Sequence, residues 1–223
     1  MTKEQAIEIL SLQDKLNIDT VGKDWKLGKA ENGRVVDYPL CVGMEASELL
    51  DSLNWKHWKD IDAPDNWVNA EMEVVDIIHF IASWALQDKE EKLFAFTMSE
   101  VLIVLDSDGE LIPKTKMLIY KSMAEYPDLS SCLIQLKTIM SIMNIDNTVY
   151  NLYIGKNVLN KFRQDNGYAN GTYVKIWNGY EDNVTVARIL DEMDDKGEAV
   201  NPETLYSRLK HVYQIALEEA GVS

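Results

Sequence analysis

Glu45 and Glu48 stand three residues apart in MEASELLDSLNWKHWK (Met44–Lys59), and Glu73 and Asp76 repeat that spacing in EMEVVDIIHFIASWAL (Glu71–Leu86). Residues i and i+3 share one face of a helix, so each pair aims two carboxylates the same way. Asp76 lies among Val74, Val75, Ile77, Ile78, Phe80 and Ile81, where rotating the helix does not carry it to solvent. An ionised carboxylate in such a place is costly unless it is paired or metal-bound. Residues 70–86 contain no Lys or Arg to pair with it. Two antiparallel helices would bring up to four carboxylates into one volume. Such a cluster either retains protons or binds a hard cation. Oxygen-only ligands favour Mg²⁺ or Mn²⁺ over Zn²⁺. An ExxE alone usually means solvated helix charges, and Asp76 in its apolar stripe is what argues for more.

His79 follows Asp76 by three residues and shares its face. That spacing raises a carboxylate-bridged di-iron oxidase as an alternative, since such bundles use Glu together with ExxH motifs. The chain has three histidines, His57, His79 and His211, and Asp76–His79 is its one acidic-xxH, whereas a symmetrical di-iron site needs two. A lone histidine on an apolar face is more often a satisfied core residue or a stacking group.

The elements that must position these groups read as helices. Apolar residues recur with helical rather than alternating period, which predicts helices near 2–19, 40–55, 66–87, 89–105, 114–124, 128–146, 148–165, 182–194 and 202–219. Asn201-Pro202 supplies an N-cap and first-turn proline for the last. Glycine-bearing loops span Val21–Pro39 and Gly167–Gly179, with short hairpins as the only expected strands. The expectation is one all-α domain over 1–223, a helical bundle core with additional helices.

Composition bounds the function. The chain has 223 residues, 46% of them hydrophobic, enough for a good-sized core. Its net charge of −15 argues against a nucleic-acid partner, which needs a basic surface. It does not argue against a phosphorylated small molecule, because bound cations reverse the local sign. No apolar run reaches the ~18 residues of a membrane span, and MTKEQAIEIL lacks a signal-peptide core. Cys41 and Cys132 match no metal-ligand spacing and read as reduced core residues of a cytoplasmic protein.

Taken together, the blocks resemble the dimeric, all-α dUTPases, relatives of the MazG-like nucleotide pyrophosphohydrolases. The resemblance runs in order through LQDKLN (Leu12–Asn17), ExxE at Glu45–Glu48, DSLNWKHWK (Asp51–Lys59) and ExxDxxHF (Glu73–Phe80). It continues through YIGKNVLNKFRQDNGY (Tyr153–Tyr168), GTYVKIWNG (Gly171–Gly179) and EDN (Glu181–Asn183). A lone ExxE with ExxD marks only the superfamily. The tryptophan block with KNVLNKFRQDNGY is far more specific. Residues 88–147 carry no motif of the family.

The resemblance implies hydrolysis of dUTP, and of dUDP, to dUMP by a homodimer that uses two or three Mg²⁺ ions, with Mn²⁺ as a substitute. Glu45, Glu48, Glu73 and Asp76 would be the metal ligands, and Glu48, or else Glu45, would also orient or deprotonate the attacking water. Lys156, Asn160 and Arg163 from one helix, with Lys175 from the loop, would meet the polyphosphate, and Tyr168 and Asn183 would orient that loop. Gly155 would permit close backbone approach or simply helix packing. Gln13 and Asn17 would read the uracil edge, while Trp58, His79 and Phe80 would supply stacking surface. Trp55 is expected in the core. A pyrophosphohydrolase for another deoxynucleotide such as dCTP is the alternative within the same class, because base choice rests on few contacts.

Overall fold

The computed structural model describes residues 1–100 and 110–219, and among these the chain folds almost wholly as helix, in two compact units, Met1–Tyr150 and Asn151–Ser223. Helices α1 (Lys3–Thr20), α2 (Tyr38–Asp51), α3 (Trp67–Asp88), α4 (Glu91–Ser99), α5 (Leu111–Ser122) and α6 (Leu129–Ile142) belong to the first unit. The expected helix at 89–105 is observed as α4, and its residues 101–105 lie outside the described residues. Helix α7 (Val149–Asp165) begins at the division, and α8 (Asp182–Asp195) and α9 (Pro202–Glu219) complete the second unit.

Side-chain caps set where the helices begin. Thr2 and Gln5 close a reciprocal capping box on α1, and the Asp37, Asn66 and Asp128 side chains accept from the first-turn amides of α2, α3 and α6. Asn201 does the same for α9, accepting from the Thr204 amide at 3.1 Å, as its sequence predicts. Helix α6 stops at Ile142, short of the expected 146, because Asn144 turns left-handed (φ 57°).

In the first unit α3 is apolar on nearly every face and is the central helix, packed by α1, α2, α4 and α6. Helix α2 lies against α3 on one side and α5 on another. Gly43 makes the second contact possible, since a Cβ there would come within 2.6 Å of the Met123 side chain and 2.9 Å of Ser122 Oγ. The Val21–Pro39 loop is anchored by buried Trp25, which donates to Asp14 at 3.2 Å and meets the Tyr38 ring edge-on.

The second unit is built on aromatic residues. Phe162 of α7 packs edge-on against Tyr173, Trp177, Tyr206 and Tyr213, at centroid distances of 5.2–6.5 Å. The loop after α7 carries a two-residue hairpin, β1 (Ile176–Trp177) and β2 (Tyr180–Glu181), turned by Asn178 and Gly179. Both turn residues have positive φ (50° and 83°), the geometry that matches strand twist in a two-residue turn.

Candidate active site

In the first unit, α2 and α3 bring Glu45, Glu73 and Asp76 together, with one carboxylate oxygen from each within 4.8 Å of the others. Glu73 is buried and accepts from Asn69 Nδ2 at 3.0 Å, and the same amide donates to Ser52 Oγ at 2.7 Å. Asn69 thus ties the C-terminal end of α2 to the carboxylate face of α3. Burial raises the Glu45 carboxyl to about 8, and the charges of Asp76, Glu48 and Glu73 push in the same direction. The crowding expected from the paired i, i+3 spacings is therefore real for three of the four residues.

Glu48 stands apart from that group. It is exposed one turn further along α2, on the wall of a pocket of about 480 Å³ that it shares with Asp51, Asn54, Lys59, Asn66 and Asn69. All-oxygen donors at this spacing fit a hard divalent cation. His79 is not part of the acidic group.

His79 belongs instead to a buried run of polar side chains between α1 and α3. Its Nδ1 meets Gln13 Oε1 at 2.6 Å, and Gln13 Nε2 donates to Asn17 Oδ1 at 2.9 Å. Asn17 Nδ2 donates to Ser83 Oγ at 2.9 Å, and Ser83 donates to the His79 carbonyl at 2.8 Å. Gln13 and Asn17 share the inward face of α1 with Ala6, Ile9 and Leu10, so buried amides take core positions on that helix. Tyr38 is buried against Phe80, with ring centroids 6.4 Å apart. Burial raises its phenol to about 12, with Ser83 acting weakly in the opposite direction.

The two tryptophans after α2 both lie toward the surface. Trp55, expected in the core, is 43% exposed and lines an apolar groove with Leu50, Ile112 and Ile119 of α2 and α5. Trp58 is 66% exposed and meets Trp55 and His57 edge-on, rather than packing with His79 or Phe80. Helix α2 ends at Asp51, and the turn that follows it carries both indoles outward.

In the second unit the expected phosphate-binding side chains form a mutually satisfied cluster. Arg163 Nε and Nη2 donate to the two Asp182 oxygens at 2.8 and 2.7 Å, and Asp182 is wholly buried. Tyr173 donates to the same carboxylate at 2.8 Å. Burial alone would raise the Asp182 carboxyl, but the Arg163 guanidinium and the Tyr173 hydroxyl hold it below its usual value. Asn183 Oδ1 accepts from Lys156 Nζ at 3.1 Å and from Arg163 Nη2 at 3.3 Å, and Asn160 Oδ1 lies 3.4 Å from Arg163 Nη1. Lys156 is only 4% exposed, so neither cation lies on a solvated basic face. Tyr168 sits 5.7 Å from the Arg163 guanidinium, and Lys175 pairs at the surface with Glu181. Gly155 is a packing residue, since a Cβ there would meet Leu190 at 2.6 Å and Val186 at 3.0 Å.

The family model described as dUTPase matches residues 6–168, about three quarters of the chain. The chain belongs to the all-α dUTPase family. Its activity is that of a dUTP diphosphatase, a hydrolase acting on dUTP. No curated protein matches the chain. The dUTPase match spans α1 to α7 and so takes in both carboxylate pairs and the amides of α1. Among the described residues no helix is long and apolar enough to cross a membrane.

Several residues of this dUTPase escape a reading of sequence alone. Ser83 and Tyr38 look like filler within apolar runs, and Asn69 like a polar residue of a helix start. Lys59 was visible as a charge in the tryptophan block, but nothing in its spacing placed it on the same pocket wall as Glu48.

Proposed function

We propose that the chain hydrolyses dUTP, and dUDP, at the α-phosphate, giving dUMP with release of pyrophosphate or phosphate. The observation that carries this reading is the acidic group of Glu45, Glu73 and Asp76, set against a polar pocket in a member of the dUTPase family. Those three residues, with Glu48, would hold two or three Mg²⁺ ions, or Mn²⁺ in their place. Bound there, the cations would polarise the α-phosphate, lower the pKa of the attacking water and neutralise the leaving group.

The remaining roles fall to the protein's own side chains. Glu48, outside the tight acidic group, orients the attacking water and takes its proton. Glu45, whose carboxyl retains a proton most readily, is a ligand once its charge is compensated. Lys59, on the pocket wall with Glu48, is placed to meet phosphate charge. Gln13, Asn17 and His79 read the uracil edge, and Phe80 and Trp58 give the ring apolar surface. Trp58 has to turn inward from its exposed position to do so. Lys156, Asn160, Arg163, Tyr168, Lys175 and Asn183 are assigned to the polyphosphate and its covering loop on the family pattern. Most of the donors of Arg163 are engaged by Asp182, Asn183 and Asn160, so its contribution is chiefly to hold Asn183 and its own helix in place. The whole chain then serves as one dUTPase-like domain, working as a cytoplasmic homodimer.

A panel of deoxynucleoside tri- and diphosphates, assayed with Mg²⁺ and with chelator, tests this directly. Cleavage of dUTP to pyrophosphate and of dUDP to phosphate, both abolished by chelation, is expected. Release of phosphate alone from dUTP would overturn attack at the α-phosphate, and equal turnover of dCTP would overturn the assignment to uracil.

A further inference from the structure

The buried polar run between α1 and α3 has a direction, and one hydroxyl sets it. Ser83 Oγ has a single proton and gives it to the His79 carbonyl, which can only accept. The oxygen can therefore only accept from Asn17, so the atom facing it must be Nδ2. That turns Asn17 Oδ1 toward Gln13, which must answer with Nε2. Gln13 Oε1 is then left facing His79, and the histidine has to carry its proton on Nδ1. Each step follows from the one before it, and the run ends on the residue where it began.

One other arrangement keeps the side-chain contacts, but it gives up the Ser83 bond to the His79 carbonyl. If Ser83 gave its proton to Asn17 instead, both amides would flip and His79 would have to accept at Nδ1 and carry its proton on Nε2. The two arrangements are mirror images in donor and acceptor. Uracil and cytosine differ in that same sense, since uracil offers an acceptor at C4 beside an N3–H donor and cytosine reverses both. The first arrangement, which keeps the Ser83 bond to the His79 carbonyl, presents amide N–H groups and an acceptor at His79 Nε2 and is complementary to uracil.

We propose that Ser83 is a positioning residue that fixes the direction of the Gln13 and Asn17 amides and the tautomer of His79, and through them the preference for uracil over cytosine. The inference rests on the assignment of Gln13, Asn17 and His79 to the base. Ser83 itself need not touch the nucleotide. The hydroxyl matters for its proton and not for its bulk, so the effect separates from simple packing.

The test uses the full-length protein and two readouts. Two-bond ¹⁵N–¹H correlation of the imidazoles in nucleotide-free protein reports the His79 tautomer, and kcat/KM for dUTP and dCTP reports base choice. Wild type is expected as the Nδ1–H tautomer. Ser83→Ala should mix the tautomers and lower the dUTP to dCTP ratio by about tenfold or more, while Ser83→Thr, which restores a hydroxyl, should recover both. A wild-type Nε2–H tautomer, or a Ser83→Ala protein that keeps both tautomer and ratio, would overturn the proposal. So would a changed tautomer with an unchanged ratio in an active enzyme. If wild type hydrolyses no dUTP, the functional reading fails by itself, and the tautomer of Ser83→Ala still decides whether Ser83 sets the direction.

Discussion

The two units treat buried charge in opposite ways. In the second, Asp182 is wholly buried and its charge is met at once by Arg163, with Tyr173 completing its hydrogen bonds. Its carboxyl is held low. In the first, Glu45, Glu73 and Asp76 are gathered on two helices, and the result is a Glu45 carboxyl raised to about 8. Both arrangements need deliberate placement of acidic groups at helix faces. A cluster whose charge is balanced by its own side chains holds the fold, whereas one that crowds a single sign invites a counter-ion from outside.

The contrast can be broken at several points. If the acidic region serves chemistry and not folding, Glu48→Gln should lower turnover by roughly 10²–10⁴-fold, the usual range for a general base, with an unchanged melting temperature. An active mutant would remove Glu48 from that role. If the Arg163–Asp182 pair serves folding, Arg163→Ala should cost about 3–5 kcal/mol in urea unfolding, because it leaves a buried carboxylate uncompensated. It should also raise KM for the nucleotide, and a loss below ~1 kcal/mol would show the pair to be replaceable.

A smaller effect comes from pH. The folded state binds the Glu45 proton more tightly than the unfolded state, whose carboxyl titrates near 4.5. Metal-free stability should therefore be highest below that value and fall as pH rises toward about 8. Mg²⁺ should remove the slope, which melting curves with and without the ion would show. Smallest of all, Asp76→Asn should weaken Mg²⁺ dependence while raising the metal-free melting temperature by roughly 2–4 °C, the shift worth ~1 kcal/mol at this chain length. A sharp fall instead would mean that the fold needs the Asp76 charge.

What could be read from sequence divides along physical lines. Helix positions were legible because period and caps are local: Asn201 announces α9 within a few residues. The carboxylate faces were legible for the same reason, as i, i+3 spacings within single helices. Contacts between helices were not. Ser83 and Asn17 are 66 residues apart, and Ser83 in an apolar run looks like any small helix residue. Asp182 was visible only as a letter of EDN, with no sign that it would be sealed against Arg163. Trp55 failed for a related reason, since an aromatic near a helix end is drawn to the core only if the chain does not first turn away.

Gly43 gives one of these features a mechanical meaning. It lies two residues before Glu45, at the point where α2 leans on Ser122, the last residue of α5, and on Met123, which follows it. Met123 is partly exposed and can swing aside, but Ser122 is buried and cannot. A single methyl group at position 43 would act as a wedge, levering α2 away from α5 and toward the helix that bears Glu73 and Asp76. The gap across which the carboxylates face one another is thus gauged from the far side of α2, by the absence of a side chain.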